Sequence, residues 1–392
     1  MKKIILHIFM VILLLAISVS SGMATIKKPS YWPTQGWKTA SPESQGMDSY
    51  LLIEMLDTIL KKGLRVESVL IIRNGYMVLD AYSYPYSPKV PHHIDACTQS
   101  ITAALIGVAI DDGHIRDVNQ PLLDFFPGRV IKNIDTHKRA LKLENLLTMT
   151  SGFECSDPFL YLQSGMMNMI LDANLRMSAD WTQYIIDLPM AEAPGTRYRY
   201  CNYDPFLLSA IIQAKTGLNA RAFAEKHLFD PLGITDIGWG SNPQGITLGY
   251  GELFMRPQDM AKIGFLYLHK GIWDGKQIIS SRWIKASTKK HIDTKLLPGY
   301  GYHWWVVSPG IYASAGNKGQ FIMVAPEKNI VAVFTGRLSP EEFFIPLDFM
   351  QSYILTAVKT EGPLRSNPEG EKLLISKSKK WQNTEPAERK NK

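Results

Sequence analysis

The chain has 392 residues, 45% of them hydrophobic and 20% charged, with a formal net charge of +7. This is globular composition, with enough apolar material for a large core and for two or three structural units, or one large α/β fold with an insertion. Most of the positive excess lies at the ends: Lys2 and Lys3 at the start, and nine Lys/Arg against five Glu from Lys359 onward. The body is therefore near neutral, which excludes the clustered basic face of a nucleic-acid-binding protein. Three cysteines (Cys97, Cys155, Cys201) exclude a disulfide scaffold and allow at most one bridge.

In chain order, Lys2 and Lys3 precede an apolar run, Ile4–Val19, and Gly22 and Ala24 place small residues where a signal peptidase reads. Residues 1–24 thus read as a secretory signal, the run being short for a membrane span. The protein is expected to be exported, periplasmic or secreted, with no stable membrane span after signal removal. Met47–Lys62 has helical periodicity and stops at Gly63. Ser68–Arg73 and Tyr76–Tyr82 read as two strands of a hairpin around Asn74-Gly75. After a Pro- and Tyr-rich loop with His92-His93, read as polar edge residues, comes DACTQSITAALIG, Asp95–Gly107. Its small, apolar stretch Ser100–Ile110 predicts a buried helix.

From Ile115 to His291 the pattern is mostly helical, with segments such as Asp204–Thr216, Ala220–Leu228 and Pro257–Leu268. Strand patterns return at Tyr302–Val307, Ile311–Ala315, Phe321–Ala325 and Ile330–Thr335, with a turn at Pro326–Asn329. A helix is expected near Pro346–Val358, and residues 359–392 read as a polar, basic, frayed tail. The expected organisation is an α/β (α+β) fold. Residues 25–114 and 292–358 form one antiparallel sheet domain flanked by terminal helices, and residues 115–291 form an inserted helical domain. A site is expected where sheet and insertion meet. Nine histidines show no HExxH or other zinc spacing, and no metal or cofactor is expected.

Several segments together resemble the serine β-lactamase and penicillin-binding superfamily. They are Asp95–Gly107, LLTMTSG at 146–152, PGTRYRYCNY at 194–203, FDPLGI at 229–234, YGYHWW at 300–305 and AGNKGQ at 315–320. The likeness is to the branch holding class C β-lactamases, D-alanyl-D-alanine carboxypeptidases, β-lactamase-like esterases and 6-aminohexanoate-dimer hydrolases, and it fits the last group best. It implies a β-lactamase/transpeptidase-like fold. It also implies three catalytic motifs: S-x-x-K, with a serine nucleophile and a lysine one turn on; Y-x-N; and K-T-G or H-x-G on a sheet strand.

Laid over this sequence, the serine position is Ala96 and the lysine position is Gln99; Thr98, Ser100, Thr102, Leu105, Ile106 and Gly107 fix the register. The second motif is intact as Tyr200-Cys201-Asn202. The third falls at Gly316–Gln320, with Asn317 in first place and Gly319 as its glycine; an offset of one would bring in Lys318. Two other S-x-x-K matches, Ser287–Lys290 and Ser376–Lys379, lie in a polar stretch and in the tail, away from a buried helix.

Alanine carries no nucleophile and an amide is no base, so acyl-enzyme chemistry by the family route is expected to be absent. Gln99 keeps length and polarity without a buried charge, and its amide could pair with Tyr200 or Asn202. Oxyanion-hole donors are backbone groups, so Ala96 N–H and an N–H near Gln320 are expected to persist. The expected function is a pseudoenzyme that binds a small amide-, ester- or peptide-like ligand through Tyr200, Asn202, Asn317, Gly319 and Gln320. Two alternatives stand beside it: an active amide or ester hydrolase using Cys97, Cys201 or an activated water, and a scaffold with an unused pocket.

Overall fold

The computed structural model describes residues 29–155 and 173–383. The expected secretory segment, residues 1–24, lies outside the described residues. The first long element, helix α1 (Ser49–Lys62), is capped by the Asp48 side chain accepting from Tyr50 N and ends at Gly63 in the left-handed region. Its buried residues Leu52, Ile53, Met55, Leu56 and Ile59 repeat at helical spacing and face one core. Strands β1 (Val66–Arg73) and β2 (Tyr76–Tyr82) follow as a hairpin. Asn74 and Gly75 both take positive φ (53° and 86°), the geometry of a two-residue turn that matches strand twist. Helix α2 (Cys97–Asp111) is buried on every side from Cys97 to Ala109.

Beyond it come helix α3 (Tyr203–Thr216) and helix α4 (Pro257–Leu268), then strands β3 (Gly299–Tyr300), β4 (Trp305–Ser308), β5 (Ile311–Gly316), β6 (Gln320–Ala325) and β7 (Ile330–Gly336). One seven-stranded sheet in the order β2-β1-β7-β6-β5-β4-β3, antiparallel throughout, joins strands from both ends of the chain. β1 pairs directly with β7, with Leu70 opposite Val333.

Alternation along each strand divides the sheet between two cores. Leu70, Ile72, Ile322, Val324, Val331 and Val333 face α2 and α4, whereas Val69, Ile71, Phe321, Met323, Ala332 and Phe334 face α1 and the C-terminal helices. Covering both faces explains why every residue of β1, β6 and β7 is buried. α4 lies close on the sheet because of Gly264, where a Cβ would come within 2.6 Å of a Val331 methyl.

The tail differs from expectation. Pro368–Asn383 forms a helix, α5, packed on α1 and β2 rather than a frayed end. Leu374 and Trp381 are its buried anchors, the Trp381 carbonyl accepts from Tyr84 N–H, and Lys377 pairs with Asp57. The basic composition masked a narrow apolar stripe, which suffices because α1 and the edge strand supply the other half of the contact. Among the described residues no helix is long and apolar enough to cross a membrane.

Candidate functional site

α2 begins where β5 ends, and the contact between them sets the site. Asp95 takes a positive φ of 48° and turns the chain into the helix, so that Ala96 becomes the N-cap and Gln99 lies one turn on. A Cβ on Gly316, the last residue of β5, would meet Ile94 O at 2.5 Å and the Ala96 and Cys97 nitrogens at 3.1 Å. Only glycine allows that approach. Ser100 Oγ reinforces it, donating to the His303 carbonyl (2.5 Å), while the Ser100 and Ser314 hydroxyls lie 2.7 Å apart.

The second side of the site comes from two loops held together by backbone bonds. Arg199 N–H donates to Met149 O, Gly195 N–H to Thr150 O and Ala191 N–H to Gly152 O. The LLTMTSG segment thus supports the strand-like approach to Tyr200. Met149 Sδ accepts from Cys201 N–H, and Asn202 is the N-cap of α3.

These supports bring Ala96, Gln99, Tyr200 and Asn202 together. Gln99 is 2% exposed, and its Nε2 donates to Tyr200 Oη at 2.5 Å, with Asn202 Oδ1 and Tyr250 O each at 3.4 Å. One amide nitrogen with two hydrogens therefore faces three acceptors. No charged side chain occupies the place. Burial pushes the Tyr200 hydroxyl well above its ordinary range, so it is neutral and accepts from Gln99. The Ala96 methyl packs in a cluster with Met149, Tyr198, Tyr200, Tyr300 and Trp305. The rings of Tyr198, Tyr300 and Trp305 lie within 5.8 Å of one another, centroid to centroid. The structure thus places a methyl, an amide and a neutral phenol side by side.

The third motif is only partly at the site. Asn317, half-buried, follows the Gly316 that abuts Ala96, and its Oδ1 accepts from Lys318 N–H. Gly319 and Gln320 do not join the group. A Cβ on Gly319 would strike Leu338 at 2.6 Å. Gln320 is 3% exposed, and its amide is spent on the Gly336 backbone, donating to the carbonyl at 2.6 Å and accepting from the N–H. The β5 residue beside Ala96 is Gly316, and Gln320 is its partner across the hairpin. Among the described residues Ala96 N–H donates to no acceptor, whereas the next amides, Cys97 and Thr98, bond back to Ile94 O and Asp95 O. Lys318 is exposed.

Both candidate thiols are removed from this chemistry. Cys201 is bridged to Cys155. Cys97 is completely buried, its thiol pushed up to about 12 by desolvation and donating to Gln320 O. The alternative S-x-x-K matches lie elsewhere: Ser287 bonds Ile284 O, Lys290 pairs with Asp293, and Ser376 and Lys379 are exposed on α5. The sequence reading missed His93 at the rim. Its Nδ1 faces Asp95 at 3.4 Å and its Nε2 faces Glu252 at 3.7 Å, and these carboxylates raise its pKa above the ordinary value. His92 is buried against Glu67 instead. The pairing of His92-His93 with Leu253–Met255 arranges this, and nothing local in the sequence announces that pairing.

A family model described as Beta-lactamase matches residues 52–348. The chain is 20% identical over 285 residues to a 6-aminohexanoate-dimer hydrolase of Paenarthrobacter ureafaciens, covering 68% of this chain and 71% of that protein. Among solved structures it is similar to a candidate 6-aminohexanoate-dimer hydrolase from Bacillus anthracis (TM-score 0.63, 18% identity, 84% of this chain and 91% of that one). It is also similar to an octameric penicillin-binding protein homologue from Pyrococcus abyssi (TM-score 0.59, 18% identity, 78% of each chain). At these identities the structural likenesses speak to fold.

Proposed function

We propose, since the chain belongs to the β-lactamase family of serine hydrolases, that it is an exported member that binds an amide-, ester- or peptide-like ligand without forming an acyl-enzyme. The observation that carries the reading is the Gln99 amide bonded to Tyr200 at 2.5 Å beside the Ala96 methyl. Without nucleophile and base, the loss relative to an intact site is several orders of magnitude in rate.

Binding groups remain. Ala96 N–H is open to a carbonyl or carboxylate oxygen, and charge-assisted bonds to such backbone donors are among the stronger ones. The Tyr200 hydroxyl, the Asn202 amide and the half-buried Asn317 amide can meet the polar atoms of an amide. The names of the relatives above supply the same class, linear amides among them. Export is supported by the basic and apolar start of the sequence and by the Cys155–Cys201 bridge, which suits an oxidising compartment.

The test is direct. Protein lacking residues 1–24 is mixed with p-nitrophenyl butyrate and followed by stopped flow and intact-mass spectrometry. The expected result is no burst and no adduct. A burst approaching one equivalent, or a covalent adduct, overturns the reading.

A further inference from the structure

At the rim of the candidate site two paired segments part. His92 pairs with Met255 and His93 with Phe254, and Ile94 N–H donates to Leu253 O at 2.9 Å. In that antiparallel register the next two residues, Asp95 and Glu252, stand opposite each other. There both segments turn away through left-handed backbone, with φ 48° at Asp95 and 60° at Glu252. Residues other than glycine rarely hold this conformation, Glu less readily than Asp, and it persists where neighbours impose it. Each turn carries a part of the site. Asp95 leads into Ala96, the N-cap of α2. Glu252 lies two residues beyond Tyr250, whose carbonyl is 3.4 Å from Gln99 Nε2.

One side chain reaches both turns. His93 Nδ1 lies 3.4 Å from Asp95 Oδ1 and its Nε2, shut off from solvent, lies 3.7 Å from Glu252 Oε2, while the ring rests on Phe254 at 4.9 Å between centroids. We propose that His93 is a positioning residue, whose imidazolium clamps the turns at Asp95 and Glu252 and so sets how Ala96 N–H and the acceptors of Gln99 are presented. Its effect on affinity rests on the ligand-binding reading above. The charged groups facing the ring are Asp95 on its own segment, Glu252 on the paired one and Lys318 from the turn between β5 and β6; the two carboxylates favour the imidazolium and Lys318 opposes it. The carboxylates prevail, so the folded pKa lies above the ordinary 6.5. The clamp is therefore whole below about pH 6.5 and is lost as pH rises through the raised value. A neutral ring has one proton for two carboxylates, and the two acids then face each other as like charges. Part-exposed pairs of this kind change an equilibrium by up to about fivefold each.

The experiment follows protein labelled with 15N-alanine and 13C-histidine by NMR between pH 5.5 and 9, with the Ala96 amide assigned by its loss in Ala96→Gly and the His93 ring by its loss in His93→Gln. The expected result is an Ala96 amide signal that titrates with the His93 midpoint in wild type and does not titrate there in His93→Gln. Glu252→Gln, at an exposed position, removes one carboxylate and should lower both midpoints together, which keeps the test should His93→Gln fold poorly. Binding of N-methylacetamide, a neutral probe, should weaken by up to about fivefold for each ion pair as pH rises through that midpoint in wild type, and should be weak and flat in His93→Gln. An Ala96 amide indifferent to the His93 midpoint, or two midpoints that separate in Glu252→Gln, overturns the clamp while leaving the site reading in place. An Ala96 amide that follows His93 with no amide bound at any pH supports the clamp and overturns the site reading instead.

Discussion

Reducing the Cys155–Cys201 bridge should cost this protein a large part of its stability. The bridge spans a sequence separation of 46 residues. In the chain-entropy account, closing such a loop in the unfolded state is worth about 4 kcal/mol at 25 °C, and relaxation of the native state brings measured values to about 2–4 kcal/mol. The bridge joins the segment just after LLTMTSGF to Cys201, between Tyr200 and Asn202, so its loss also loosens the approach to the site. The assay is urea unfolding followed by tryptophan fluorescence, with and without a phosphine reductant, beside Cys155→Ala. Reduced wild type and the oxidised variant should unfold at the same lowered midpoint. Unreduced, denatured protein should show one thiol, Cys97, and that thiol should be silent to alkylation in the native state. An unchanged midpoint in reductant, or three thiols without it, would refute the reasoning.

Acid should destabilise the fold between about pH 6.5 and pH 4. Burial lowers His269 to about 4 and His303 to about 3, against an ordinary value of 6.5, so in that window the unfolded chain binds protons that the native state refuses. Their stabilising effect is whole above the ordinary value and is lost as pH falls, at up to about 1.4 kcal/mol per pH unit for each group. Urea midpoints at pH 7 and 4.5 measure it, His269→Gln should reduce the slope, and a flat profile contradicts it. Trp381→Ala should detach α5 rather than unfold the protein. The local loss is about 3–5 kcal/mol, limited by the docking energy of the helix. Limited proteolysis should then cut within Pro368–Asn383 with the sheet intact, and unchanged protection would contradict the role given to Trp381.

The fold was largely legible because its main elements follow local rules. Asn74-Gly75 names a hairpin, Gly63 ends α1, and Pro257–Leu268 is helical as patterned. The late strands appear within a residue or so, except that Tyr302–Val307 begins as a turn and becomes strand only at Trp305. The helix near Pro346–Val358 divides into Ile345–Phe349 and a wider π turn, Met350–Leu355. The reading of positions 96 and 99 rests on register alone, since the flanking residues keep the pattern. What escaped the sequence depends on distant partners. The Cys155–Cys201 pairing has no local signature. Gln320 turns inward because Gly336, across the hairpin, takes both ends of its amide. His93 reaches the rim through its pairing with Phe254, and Trp381 is buried by α1 and β2. Each is decided by packing between segments remote in sequence, which periodicity does not encode.

The measurement that tests the central claim most directly restores the two missing groups. The acceptors around Gln99 Nε2 — Tyr200 Oη, Asn202 Oδ1 and Tyr250 O — are three in number, as many as an ammonium has protons. Ala96→Ser/Gln99→Lys and wild type, both without residues 1–24, are compared against nitrophenyl esters, a chromogenic β-lactam, D-alanyl-D-alanine peptides and a linear amide dimer. The account predicts turnover with an acyl-enzyme adduct on Ser in the double variant and none in wild type. Turnover by wild type on any of these substrates would contradict it.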